Sequence, residues 1–178
     1  AVQSWYAAVF DVLTPKQVTR GGNILMVQLD NEMGMIQWVR NLVDINPDTL
    51  ARFGTYLRQH YGERLSQQYP IVNLVDYLRE EITQPQSHYA QQVIEDYRRF
   101  YRSYLCEYMT FLRQTAKSYG MEVPPIVNIH GFGNGGKTFP IGLSQLVEVM
   151  AMEDMVSATD VYPIFIGEGN FHQLILVN

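Results

Sequence analysis

The chain has 178 residues, 47% of them hydrophobic and 17% charged, which is enough apolar material for a core and excludes wholesale disorder. Lys plus Arg number 13 and Asp plus Glu 18, a net charge of −5, and this argues against a nucleic-acid partner, whose phosphates call for an excess of cations. No apolar run nears the roughly 20 residues of a membrane span, and the one cysteine, Cys106, excludes an internal disulfide framework or a cysteine-rich zinc site.

The residues up to Leu13 predict an amphipathic helix with Trp5, Val9, Val12 and Leu13 on one side. Pro15 and the Gly21-Gly22 pair make 14–22 a loop. Residues 23–29 are short, nearly continuously apolar and bounded by turn residues, which predicts a strand buried on both faces, with Asp30-Asn31-Glu32 directly after it. Asn46-Pro47-Asp48 sets a cap residue before a proline at the first helical position. The helix over 48–61 presents Leu50, Phe53, Leu57 and Tyr61, and Gly62 ends it. Pro70 and Pro85 punctuate 63–86, with a short helical run near 72–81.

The longest helical pattern covers 87–119, where Tyr89, Val93, Tyr97, Phe100, Tyr101, Tyr104, Tyr108, Met109 and Leu112 recur at steps of three and four. This stripe reads as a helix packed on a sheet, with Gly120 as its C-cap. A second strand follows over 126–130, then a glycine-rich loop over 131–136, a short helix over 143–151 and a third strand over 155–160. Neither the start of the chain nor the apolar run 171–178 carries a finishing signal, so both ends read as cut.

Strands alternating with helices predict an α/β fold with parallel strands and right-handed crossovers. Each strand runs into polar residues at its C-terminal end: Asp30 to Glu32, Asn128 to His130, Asp160 to Tyr162. A (β/α) barrel places its active site on that face. Two motifs then compete. Gly131-Phe-Gly-Asn-Gly-Gly136-Lys137-Thr138 fits a phosphate-binding loop, which requires a helix to begin at the lysine. Pro140 and Gly142 interrupt that helix, so a loop at a barrel rim is the simpler reading. A nucleotide-binding α/β protein using Lys137 and Thr138 is the alternative. The second motif runs from Gly21-Gly22 through the first strand to Gln28-Leu-Asp30-Asn31-Glu32-Met-Gly34. A glutamate just past a buried strand suits acid/base chemistry, and a neighbouring asparagine suits hydrogen bonding to a sugar hydroxyl, although on spacing alone Asp30 and Glu32 read as ordinary loop acids.

This second motif resembles the fourth strand of the β-galactosidases of glycoside hydrolase families 42 and 35, members of a clan of retaining (β/α)8-barrel enzymes. Collinear pieces downstream are similar to family 42: Thr55 to Gly62, Asp96 to Phe100, Pro125 to Asn128, and Ala158 to Pro163. The zinc-binding cysteine cluster of several family 42 members has no counterpart beyond Cys106, and no metal or cofactor is expected. The resemblance implies a partial TIM barrel, about strands four to six of a single catalytic domain across residues 1–178. It implies retaining hydrolysis of terminal β-galactosides or related β-glycosides, with Glu32 as general acid/base. Asn31, Asn128, His130, Asp160 and Tyr162 are then expected to line the sugar subsite, with Phe165 near Tyr162.

Retention needs a second carboxyl group about 5–5.5 Å from the first. The resemblance puts this nucleophile at the end of a seventh strand, beyond Asn178. Glu168 is the alternative within the chain, whereas Glu153 and Asp154 precede a strand and fall on the wrong face. A (β/α)8 barrel takes about 250 residues. The chain is therefore expected to hydrolyse nothing by itself and to have its open sheet edges covered by a second copy or a further segment. A non-catalytic carbohydrate-binding subunit is the remaining reading.

Overall fold

The computed structural model describes residues 1–34, 43–83, 90–129 and 148–159. They fall into two compact units: a sheet unit built from 1–33, 107–129 and 148–159, and a helical unit built from 34, 43–83 and 90–106.

The sheet unit begins with α1, Val2–Leu13. Two single turns of 3-10 helix, Thr14–Lys16 and Val18–Arg20, lead from it toward β1, Val27–Gln28. Strands β2, Pro125–Ile129, and β3, Val156–Thr159, complete a parallel sheet in the order β1-β2-β3. The predicted α/β class with parallel strands is what the described residues form. Because the strands are parallel, their C-terminal ends share one edge of the sheet, and Asp30 to Glu32 leave from that edge.

Two sequence expectations change here. The strand expected over 23–29 pairs with β2 over only two residues, Val27 opposite Pro125 and Gln28 opposite Ile126. Leu25 is 61% exposed, so this stretch is not buried on both faces. The neighbouring segment opens with Pro124-Pro125, which lack N–H groups to donate to a longer ladder. Ile24 instead bridges to Gln17, with Val18 N–H donating to the Ile24 carbonyl at 2.9 Å. The second change is the buried face of α1. Tyr6 and Phe10 are buried while Trp5 is 66% exposed. Tyr6 and Phe10 meet edge to face at 5.6 Å, and the Tyr6 hydroxyl donates to the Leu29 carbonyl at 2.7 Å. One apolar tally of the helix could not register that long-range hydrogen bond.

Gln17 is fully buried. Its Nε2 donates to the Gly120 carbonyl at 2.7 Å and the Thr14 carbonyl at 3.2 Å. Its Oε1 accepts from the Glu122 and Val123 amides at 2.7 and 3.1 Å. One side chain thus ties the approach to β1 to the approach to β2. The Gly21-Gly22 pair serves the same turn. Gly21 adopts φ +83°, and a Cβ on Gly22 would lie 2.0 Å from the Lys16 carbonyl oxygen.

In the helical unit, α2, Pro47–Tyr61, starts as expected: Asn46 accepts from the Asp48 amide at 2.9 Å, Pro47 occupies the first turn, and Gly62 closes the helix. Helices α3, Leu65–Gln68, α4, Leu74–Thr83, and α5, Ala90–Ser118, follow. Residues 90–106 of α5 belong to this unit and 107–118 to the sheet unit. In the helical unit the aromatic stripe packs on a helix rather than on a sheet: Phe53 of α2 lies 5.2 Å from Tyr97 and 5.1 Å from Phe100, centroid to centroid. Asp96, 1% exposed, accepts from the Tyr61 hydroxyl at 2.8 Å and from the Tyr69 hydroxyl, and pairs with Arg99 at 3.5 Å. These partners offset the cost of burying its carboxylate. The C-terminus of α5 is a Schellman motif: Gly120 N–H donates to the Lys117 carbonyl and Met121 N–H to the Ala116 carbonyl, with Gly120 at φ +99°.

Replacing Gln17 by leucine leaves the Glu122 and Val123 amides without this acceptor and the Gly120 carbonyl with only the distant Thr14 hydroxyl, 3.5 Å away. Leaving buried polar groups unpaired costs about 1–3 kcal/mol each. Gln17→Leu is therefore expected to lower the unfolding free energy by about 3 kcal/mol in urea titration, and a change within ~0.5 kcal/mol would contradict the role given to this residue.

Candidate active site

Leu29 and Met33 are both buried, and they anchor the ends of the polar tripeptide Asp30-Asn31-Glu32 at the C-terminal edge of the sheet. Asp30 Oδ1 accepts from the Asn31 amide at 2.8 Å, and the Tyr108 phenol of α5 lies within the electrostatic reach of Asp30. The Asn31 carboxamide oxygen takes two donors, Gln28 Nε2 at 3.1 Å and Asn128 Nδ2 at 3.2 Å. The Glu32 amide donates to Asn128 Oδ1 at 2.8 Å. Glu32 itself has φ +47°, in the left-handed region that costs a residue with a Cβ about 1–2 kcal/mol. A backbone hydrogen bond on that residue, worth about 0.5–1.5 kcal/mol, offsets much of this.

The structure therefore brings together three residues expected from the sequence, Asn31, Glu32 and Asn128. Asn31 is exposed and Glu32 half-buried, so both can meet a ligand. With its oxygen occupied from the protein side, Asn31 has its Nδ2 to offer, a donor suited to a sugar hydroxyl oxygen. His130, Asp160, Tyr162, Phe165 and Glu168 lie outside the described residues, as do Lys137, Thr138 and the whole 131–138 loop. Asp154 precedes β3 and pairs with Arg113 at 3.1 Å and Lys117 at 3.5 Å, away from the edge that carries Glu32.

Sequence reasoning missed Tyr6, Gln28 and Tyr108. Gln28 was visible as part of the motif, but its role depends on a side chain reaching past Leu29 to Asn31. Tyr108 was counted only as one member of a stripe. Burial, and then the Asp30 carboxylate, push the Tyr108 phenol up to about 12. The same two causes in the same order push Tyr6 up to about 12.

Residues 7–172 match glycoside hydrolase family 42, described as β-galactosidase. The chain belongs to that family. The resemblance to family 42 read from the Asn31-Glu32 motif is therefore correct. The chain is also similar to a β-1,2-glucosyltransferase of Ignavibacterium album, with 27% identity over 180 residues covering 98% of this chain and 25% of that protein. The family 42 chain thus spans about a quarter of the length of this curated relative.

The folded-state values of Tyr6 and Tyr108 lie above the unfolded phenol value of about 10, so the native state holds these protons more tightly. The stability they contribute is complete below pH 10 and is lost as pH rises through about 12. Unfolding free energy measured across that window is expected to fall with pH. The Tyr6→Phe/Tyr108→Phe double variant should show a shallower fall, and an identical slope would count against the Asp30 environment described.

Proposed function

We propose that this chain supplies the acid/base half of a retaining glycosidase-type active site, with Glu32 as general acid/base and Asn31 as a donor to a sugar hydroxyl. The observation that carries the reading is the position of the Asn31-Glu32 pair, held at the C-terminal edge of a parallel sheet in a chain of family 42. In this reading the three strands are about strands four to six of a (β/α)8 barrel and residues 1–178 belong to one catalytic domain. His130, Asp160 and Tyr162 would complete the sugar subsite.

The chemistry has two steps. Glu32 first protonates the glycosidic oxygen, so that the leaving group departs as a neutral alcohol while a carboxylate nucleophile takes the anomeric carbon. Glu32, now ionised, then removes a proton from the incoming hydroxyl as it displaces that carboxylate. When water is the incoming group the reaction is hydrolysis, and the family description favours a terminal β-galactoside as substrate. When a sugar hydroxyl takes the place of water the same residue performs transfer. The similarity to the β-1,2-glucosyltransferase of Ignavibacterium album favours this second reading, with a glucosyl donor. Glu32 has the same role in both.

The test is Glu32→Gln in the full-length protein, assayed with alkyl β-galactosides and β-glucosides, with and without an acceptor sugar. The kcat/KM for whichever donor is used is expected to drop about 100- to 10,000-fold, the usual range for losing a general acid/base. Chromatography of the products separates hydrolysis from transfer. Turnover equal to that of the unaltered protein would refute the assignment of Glu32.

A further inference from the structure

Asn128 stood among the residues expected to touch the sugar. Its surroundings indicate a different task. It is 5% exposed, near the end of β2 and in register with Ala158 of β3, so strand pairing fixes its backbone. Both ends of its carboxamide are committed to the tripeptide loop: Oδ1 takes the Glu32 amide at 2.8 Å and Nδ2 donates to the Asn31 side-chain oxygen at 3.2 Å. Glu32 is one of three residues other than glycine with positive φ among the described residues. Its N–H bond therefore sets the plane of the peptide between Asn31 and Glu32, and with it the direction in which the Glu32 side chain leaves the backbone.

We propose that Asn128 is the positioning residue of this site: it aims the Glu32 carboxyl and the Asn31 carboxamide together and does not itself bind sugar. The proposal rests on the reading of Glu32 as acid/base. A single carboxamide does both jobs because it offers one acceptor and one donor on the same rigid plane. It reaches Glu32 through the main chain and Asn31 through the side chain, so a shift of either residue is felt by the other. Leucine has nearly the same shape and neither hydrogen-bonding group, so Asn128→Leu removes the hold while keeping the packing; Asn128→Ala serves as the second variant should leucine perturb folding.

Misaiming a catalytic acid harms the substrates that need it. Departure of an alkyl alcohol requires protonation, whereas a dinitrophenolate leaves without it. In the full-length protein, Asn128→Leu is expected to lower kcat/KM on an alkyl β-glycoside about 10- to 100-fold, the scale of a misplaced catalytic group. The loss of kcat/KM on the dinitrophenyl β-glycoside should be less than about threefold, because kcat/KM reports only the steps up to departure of the leaving group and not the later proton removal by Glu32. In the same variant, hydrogen exchange in the peptide carrying Glu32 is expected to quicken, because its amide loses its acceptor. Equal losses of kcat/KM on the two substrates would mark Asn128 as a sugar ligand and overturn the proposal; so would unchanged exchange. Should the unaltered protein process no β-glycoside at all, the acid/base reading of Glu32 fails, and the exchange measurement alone decides whether Asn128 holds that loop.

Discussion

The pairing of β1 with β2 rests on two residues of ladder, one of them opposite a proline that has no N–H to give. Such a short ladder cannot specify its own register. Two buried carboxamides do so from either end. Gln17 binds the segments that lead into both strands, through Gly120, Glu122 and Val123. Asn128 binds the segment that leaves β1, through Asn31 and Glu32. Between them the strand has little freedom to slide, and the residues that follow it arrive at a defined place on the sheet edge. Remove either amide and backbone N–H groups lose the acceptor that the structure gives them, Glu122 and Val123 in one case and Glu32 in the other, at about 1–3 kcal/mol for each buried group left unpaired.

The same arrangement accounts for the backbone of Glu32. A left-handed residue with a side chain is strained, and strain of this kind persists where neighbouring structure over-determines it. Here the neighbours are Leu29 and Met33, buried on either side of the tripeptide, and the Asn128 acceptor. Strain held in this way aims a side chain outward from a sheet edge, the place where enzymes built on parallel strands do their chemistry. In this family 42 chain the placing of Glu32 therefore depends on buried amides that carry no charge.

The helical unit answers a different demand. Its aromatic residues form a connected core in which Phe53 meets Tyr97 and Phe100, and the buried Asp96 is met by two phenols and Arg99. Hydroxyls that would be unpaired in an all-apolar core find their acceptor there, and the phenol of Tyr69 is pushed upward by burial and by Asp96. The tyrosine-rich composition is thus explained by packing together with a polar anchor, and it needs no ligand.

Local chemistry was legible in the sequence wherever neighbours in the chain decide the outcome. Asn46 and Pro47 start a helix, Gly62 and Gly120 stop one, and the three apolar segments followed by polar residues are parallel strands. The Asn31-Glu32 motif was enough to reach family 42. Contacts between segments 23 or more residues apart were not legible. The burial of Tyr6 in place of Trp5, the shortening of β1, the enclosure of Gln17 and the grip of Asn128 on Glu32 all turn on hydrogen bonds between segments far apart in sequence. Hydrophobic periodicity records which side chains avoid water, and it carries no record of which distant polar group will take a given proton. The sequence by itself determined most of the elements and the family; only the tertiary structure decided how Glu32 is held, because the holding groups are polar, buried and remote.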